Sequence, residues 1–391
     1  MNSTEPRMKA SVLIDIGRVE CRTVPRPTPG DRDVLVEIAA CGVCGSDHHI
    51  FTGEGNWNLD GEGRPIPPSV EPQILGHEIT GTIRQAGSLV EDLEPGDRVV
   101  LDQGINCRSV GREPACDYCS SGSSHLCEHY SEHGITGLPG GFAEYISIPA
   151  VNAMKIDDAL SFESATLTEP TACILRAIDR FNASGARFRF GAKRSADEIR
   201  TIVIAGGGPA GQIFLQVLRN EIGFEGDIIL SEITELKRAM AERFGATSVG
   251  IDPDEVLNSV LAHSGGRRAE LVIDACGAGG IWNDVPTWIR KQAGILMYGY
   301  GRRGASMELL NELQWREPII VTPAGASGGF DEDDRPSVYR RALRMIEQGT
   351  INAETFLTHR YDGLERLQEV LEKDMSGAGY LKGVVCPNGS D

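Results

Sequence analysis

The 391-residue chain has no run of about 18 apolar residues, the minimum for a membrane-crossing helix, so no such helix is expected. Its first residues, MNSTEPRMKASVLIDIG, lack a basic stretch followed by an apolar one. That argues against a secretory leader and makes a cytoplasmic location the expectation. Basic residues are scarce: 38 Lys and Arg stand against 56 Asp and Glu, for a formal charge of −18. This balance opposes non-specific attachment to nucleic acid or an anionic membrane, so neither is an expected partner and a small molecule fits better. Internal repeats and low-complexity tracts are also missing. With 40% apolar and 24% charged residues, the composition is that of a globular protein, not a disordered one.

The length suggests two domains, at roughly 100 to 200 residues each. Up to residue 161 the chain consists of short β-rich runs such as VLVEIAA and DRVVL, broken by turn signals such as Pro29-Gly30 and Pro95-Gly96-Asp97. From residue 162 the pattern changes. Short apolar runs (TIVIA, DIILS, ELVIDA, GILMYG) alternate with helix-length segments such as ELKRAMAERFG, which predicts α/β structure: a parallel sheet covered by helices on both faces. Residues 162–345 are read as this second domain. Residues 346–391, with a helical segment and the β-like YLKGVVC, are read as a return to the first.

The run TIVIA leads straight into Gly206-Gly207-Gly208-Pro209-Ala210-Gly211 and then a helix, the strand-turn-helix setting that gives a G-x-G-x-x-G match its meaning. Gly206 permits the tight turn, Gly208 lets backbone approach a pyrophosphate, and Gly211 allows close packing of helix on strand. Pro209 and Ala210 open the helix, whose N-terminus offers free N–H groups to phosphate. Glu232 ends the next strand, 21 residues after Gly211, where a carboxylate can accept both ribose hydroxyls and repel a 2′-phosphate. NAD is therefore the expected cofactor. Lys237 and Arg238, one turn further, are the residues that would instead receive a phosphate.

Ten cysteines are present, and four of them (Cys107, Cys116, Cys119, Cys127) crowd one segment. Without a secretion signal, such a cluster points to metal rather than to disulfides. Separately, Cys44 in CGVCGSDHH and the pair His77-Glu78 supply a thiolate, an imidazole and a carboxylate. That set leaves a tetrahedral zinc one open position, as a catalytic site requires. Glu169, in LTEPTAC, is a further candidate oxygen ligand, and Cys173 an outside candidate. Cys41 is read as a buried small side chain.

In this order, CGVCGSDHH, ILGHEITG, PGDRVV, GGFAEY, LTEP, VIAGGGPAG and YLKGVV resemble the zinc-containing medium-chain dehydrogenase/reductase family, specifically its polyol and threonine dehydrogenase branch. The resemblance implies a GroES-like β-rich catalytic domain joined to a Rossmann, doubly wound parallel-sheet domain. It implies that Cys44 and His77 hold a catalytic zinc, with Glu78 a ligand or exchanging with water, and Glu169 binding directly or through water. Ser46 and His49 would relay the proton of the substrate hydroxyl to solvent, while His48 is read as solvated or as a substrate contact. Cys116, Cys119 and Cys127 match the last three ligands of the family's structural zinc lobe. Its first ligand would be Cys107, with Glu113 the alternative. His125, His129 and His133 are read as surface residues.

The activity implied is NAD-linked oxidation of a secondary alcohol (a polyol, sugar, cyclitol or amino-alcohol) to the ketone, by a homodimer or homotetramer. Two other readings compete: a zinc-stabilised NAD-binding protein without turnover, and a zinc-free quinone or enoyl reductase relative. A binding module needs no proton relay, and a zinc-free reductase needs no such ligand set. Residues 56–69 (NWNLDGEGRPIPPS) are read as a lid or rim.

Overall fold

A computed structural model describes residues 6–301, 304–326 and 328–389. The chain divides into two compact units, Met1–Ala172 with Gly325–Asp391, and Cys173–Ala324. The change-over points thus fall at 172/173 and 324/325, whereas the hydrophobic patterning suggested 161/162 and 345/346. Helix Ser337–Glu347 accounts for the second difference. Its fully buried Tyr339 donates a hydrogen bond to Gln103, so the helix packs within the first unit. Helical periodicity identifies an amphipathic helix but not the surface that its apolar face covers.

The first unit is built on a seven-stranded sheet. Its central strand, Asp33–Val43, is buried over most of its length. On one side it pairs antiparallel with Glu78–Ala86, with Gly42 opposite Glu78 and Cys41 opposite Ile79. On the other it pairs antiparallel with Lys382–Cys386, with Val43 opposite Gly383. A strand from near residue 380 is thereby inserted beside the strand that leads into Cys44. Helix Gly45–Phe51 follows at once, and Asp47 ties its first turn down. One carboxylate oxygen accepts from the Cys44 N–H (2.8 Å) and the other from the Gly76 N–H (3.1 Å). Val36, Ile38, Ile79, Ile83, Val99, Phe142 and Ile146 lie in the apolar core around these strands.

The second unit is a six-stranded parallel sheet. Numbered along the chain from Thr201–Ala205, its strands lie in the order third, second, first, fourth, fifth, sixth, all parallel. That is the doubly wound arrangement, which binds ligands beyond the carboxyl ends of its strands where the order reverses. All five residues of Thr201–Ala205 are buried, as are all six of Ala269–Asp274. Such unbroken apolar runs are what a strand covered on both faces requires. Val203, Ile229, Val272 and Ile295 pack with Val256, Val260, Trp282 and Trp288 in one cluster. No helix among the described residues is long and apolar enough to cross a membrane.

Candidate metal centres and dinucleotide site

In the first unit, ligand atoms of Cys44, His77 and Glu78 all lie within 4.8 Å of one another. Chain pairing produces this convergence: Cys44 follows the central strand, while His77 precedes and Glu78 begins the strand beside it. His77 and Glu78 are buried, and His77 Nδ1 and Glu78 Oε2 have no hydrogen-bond partner. His77 Nδ1 is 3.5 Å from Asp47 Oδ1. Burial alone would lower the His77 imidazolium, but Asp47 and Cys44 outweigh it and hold the group well above its ordinary value. A desolvated imidazole drawn toward positive charge by a thiol and a carboxylate is a cation site in its chemistry. The residues fit a zinc ion with an open position.

Glu78 has a counter-ion that patterning alone did not reveal. Lys382 Nζ donates to Glu78 Oε1 (2.5 Å) and to the Val43 carbonyl (2.9 Å), with both side chains almost fully buried. Burial would lower this ammonium; Glu78, with Cys44 and Glu169 further off, raises it above its usual value. The only signal in the sequence was one lysine inside the apolar run YLKGVV. Gly42 belongs to the same layer, since a Cβ there would sit 1.9 Å from Glu78 Oε2.

Glu169 is buried but is not part of the close three-residue group, and neither is the half-buried Cys173. Glu169 Oε1 accepts from Gln103 Nε2 at 3.1 Å, and the same amide donates to Glu132 Oε1 at 2.8 Å. Cys41 is fully buried. Ser46 Oγ is 3.9 Å from Cys44 Sγ, and His49 Nδ1 is 2.9 Å from Glu54 Oε2. His48 is lowered, first by desolvation and then by His49.

Cys107, Cys116, Cys119 and Cys127 form a second group with sulfur atoms within 4.8 Å of one another. Glu113 is exposed and outside it. Backbone N–H donation from Cys119 and then Glu128 pulls the Cys116 thiol down to about 6, which favours the thiolate that binds metal. Of the neighbouring histidines, His129 is exposed, but His125 and His133 are buried, correcting their reading as surface residues. The reason for His133 is local: its Nδ1 bonds to the Pro139 carbonyl (2.7 Å), which lets the ring enter the interior.

In the second unit the glycine turn occupies the end of strand Thr201–Ala205. Gly206 has φ +103°, and a Cβ at Gly211 would lie 1.9 Å from the Gly206 carbonyl oxygen. A Cβ at Gly208 would meet open space, leaving room over the start of helix Pro209–Gln216. Glu232 Oε2 accepts from the Gly207 N–H (2.9 Å) and Oε1 from the Thr234 N–H (2.7 Å). Each oxygen keeps a lone pair for a ribose hydroxyl. Ala210 and Lys237 are half-buried, and the Lys237 carbonyl accepts from Gln212 Nε2 (2.7 Å). Turn, open approach and acidic strand end fit a dinucleotide.

A doubly wound sheet with this turn, in a chain that also brings a thiol, an imidazole and a carboxyl together, defines a metal-dependent dehydrogenase class. Residues 30–158 match the alcohol dehydrogenase GroES-like domain. D-arabinitol dehydrogenase 1 of Uromyces fabae is 30% identical over 360 residues, covering 91% of this chain and 90% of the relative. L-threonine 3-dehydrogenase of Pyrococcus abyssi is 26% identical over 356 residues, 90% of each. Among solved structures, a protein of Sinorhizobium meliloti described as a zinc-binding dehydrogenase bound to NADP matches with TM-score 0.77 and 28% identity. The match covers 98% of this chain and 100% of that one. The chain belongs to the zinc-containing medium-chain dehydrogenase/reductase family, in its polyol and threonine dehydrogenase branch.

Proposed function

We propose that this protein oxidises a secondary alcohol (a polyol, sugar, cyclitol or amino-alcohol) to the ketone, with zinc held by Cys44, His77 and Glu78 and hydride passed to NAD. The observation that carries the reading is the convergence of three ligand types within 4.8 Å, with the buried Glu78 Oε2 free of any hydrogen bond among them. When bound, zinc supplies Lewis-acid polarisation of the alcohol oxygen and the nicotinamide accepts the hydride.

The chain's own residues do the rest. Asp47 anchors the turns bearing Cys44 and His77. Lys382 holds Glu78 beside them as a carboxylate. Ser46 takes the proton leaving the substrate hydroxyl and passes it toward His49. The imidazole of His49, oriented by Glu54, exchanges the proton with water. Glu169, held by the Gln103 amide, would be a ligand bound directly or through water. In the other unit, the Gly206–Gly211 turn receives the pyrophosphate, and Glu232 favours NAD over NADP by taking the ribose hydroxyls. Lys237 borders the same end of the sheet.

Cys107, Cys116, Cys119 and Cys127 would close the shell of a second, structural zinc. By family analogy the enzyme is a cytoplasmic homodimer or homotetramer. The test is reduction of NAD and of NADP by zinc-loaded protein over polyols, cyclitols and amino-alcohols, with and without chelator. Chelator-sensitive turnover that favours NAD is expected. No turnover of any alcohol by protein containing zinc would return the reading to a binding module.

A further inference from the structure

We propose that Gly134 is a positioning residue for His77, and that through it metal in the four-cysteine lobe sets how tightly Cys44, His77 and Glu78 hold a metal of their own. The inference rests on the two metal sites proposed above and adds a coupling between them.

A short ribbon joins the lobe to the turn that carries His77. Gly104 and Ile105 pair antiparallel with Glu132 and Ser131. Cys107 follows one strand of the ribbon and Cys127 precedes the other, so the lobe sits at one end. The sulfur atoms of these two residues are 3.6 Å apart, and Cys116 Sγ is 3.8 Å from Cys127 Sγ. At the other end the His133 N–H donates to the Gln103 carbonyl at 3.0 Å, and the Gly134 N–H closes a turn on the Leu138 carbonyl at 2.8 Å.

Gly134 then meets the residue before His77. It has φ +77°, and a Cβ on it would fall 2.2 Å from the Gly76 carbonyl oxygen and 2.6 Å from the carbonyl carbon. The Gly76 N–H donates to Asp47 Oδ1 at 3.1 Å, and its carbonyl accepts from the Gly141 N–H at 2.8 Å. Gly140 completes the stack, since a Cβ there would lie 2.4 Å from the same carbonyl oxygen and 2.6 Å from the Gly134 Cα. Backbone touches backbone at this point, so a displacement of Gly134 is passed to the Gly76 peptide and from there to His77.

What the ribbon lacks is length, because two short strands hold a register poorly by themselves. Strand Gly104–Ile105 is pinned to the interior: the buried Asn152 side-chain amide donates to the carbonyls of Asp102 and Gly104 at 2.9 and 2.8 Å. The strand that leads to Gly134 is stapled to it at the lobe end by whatever metal Cys107 and Cys127 share. With the lobe emptied, that strand can shift and His77 loses its fixed backing.

The test is cobalt(II) binding by the full-length protein, followed by absorbance, because four-thiolate and one-thiolate sites give charge-transfer bands of different strength. The variants are Gly134→Ala, the lobe variant Cys116→Ser with Cys119→Ser, and all three substitutions combined. Loss of the lobe is expected to weaken cobalt at the Cys44, His77 and Glu78 group about tenfold, as disturbed support around a metal ligand does, and to change its d–d bands. Gly134→Ala should do the same with the lobe still loaded. The combined variant should be little weaker than either alone, because both changes act on one turn. Ile148→Ala, buried in the same unit's core but away from this path, controls for general destabilisation and should keep the wild-type cobalt affinity.

A lobe variant with wild-type cobalt affinity overturns the proposal. So does a fully additive loss in the combined variant, or an equal loss in Ile148→Ala. A wild-type protein that binds no cobalt at Cys44, His77 and Glu78 would defeat the broader dehydrogenase reading instead, so the two failures are distinguishable.

Discussion

Gly42 and Lys382 together hold the Glu78 carboxylate in place. Replacing Gly42 by Ala puts a Cβ 1.9 Å from Glu78 Oε2, and the carboxylate has to move out of its place beside Cys44 and His77. The expected result is a protein about 1–3 kcal/mol less stable, the range for an overpacked interior. It should also be depleted in the zinc that a chelator competes for. Denaturant unfolding and metal analysis read the two effects, and a variant with full zinc and unchanged stability would remove Gly42 from the argument. Lys382→Met tests the opposite side. It leaves Glu78 as a buried charge without its partner, at a cost of about 3–5 kcal/mol in the metal-free protein. Added zinc should recover part of that loss, since the ion supplies positive charge to the same carboxylate; a melting temperature that does not respond to zinc would contradict this. Cys44, His77 and Glu78 were visible as types and spacing, because ligand chemistry is written in side-chain identity. Lys382 was not, because its role depends on a strand pairing across more than 300 residues.

Local elements carried their meaning openly. The glycine turn lies within one strand-turn-helix unit, so six consecutive residues contain nearly all of its geometry. The three-glycine fingerprint often tolerates alanine at its last position. Here a Cβ on residue 211 would lie only 1.9 Å from the Gly206 carbonyl oxygen, so Gly211→Ala should force helix Pro209–Gln216 off its strand. Weaker NAD binding, by about tenfold or more, is expected in calorimetry. Unaltered NAD affinity would mean that the helix start does not bear the pyrophosphate. Helix Ser337–Glu347 marks the limit of local reading: its amphipathic stripe was plain, but its attachment through Tyr339 to Gln103 depends on tertiary packing. Glu132 and Gln103 share that limit, since nothing around either residue announces a bond between them.

At the scale of the molecule, the four-cysteine lobe and the dinucleotide turn belong to different compact units. Loss of the lobe should therefore be felt unequally. Cys116→Ser is expected to lower the first unit's melting temperature by roughly 5 °C or more, the shift that follows from losing a few kcal/mol in a domain of this size. NAD binding by the second unit should persist at temperatures where the first has begun to open. Calorimetry with and without NAD reads both transitions, and a single transition shifted as a whole would show the units to be one cooperative block.

The strand Lys382–Cys386 has a consequence for how the protein is made. It lies beside the strand leading to Cys44, yet the ribosome delivers it only after the whole of Cys173–Ala324 has been translated. The nucleotide-binding unit is continuous and can fold as it emerges, while the first unit waits with a gap in its central sheet and with Glu78 lacking its lysine. A nascent chain interrupted before residue 382 would carry every zinc ligand proposed above and still be unable to assemble the site around them.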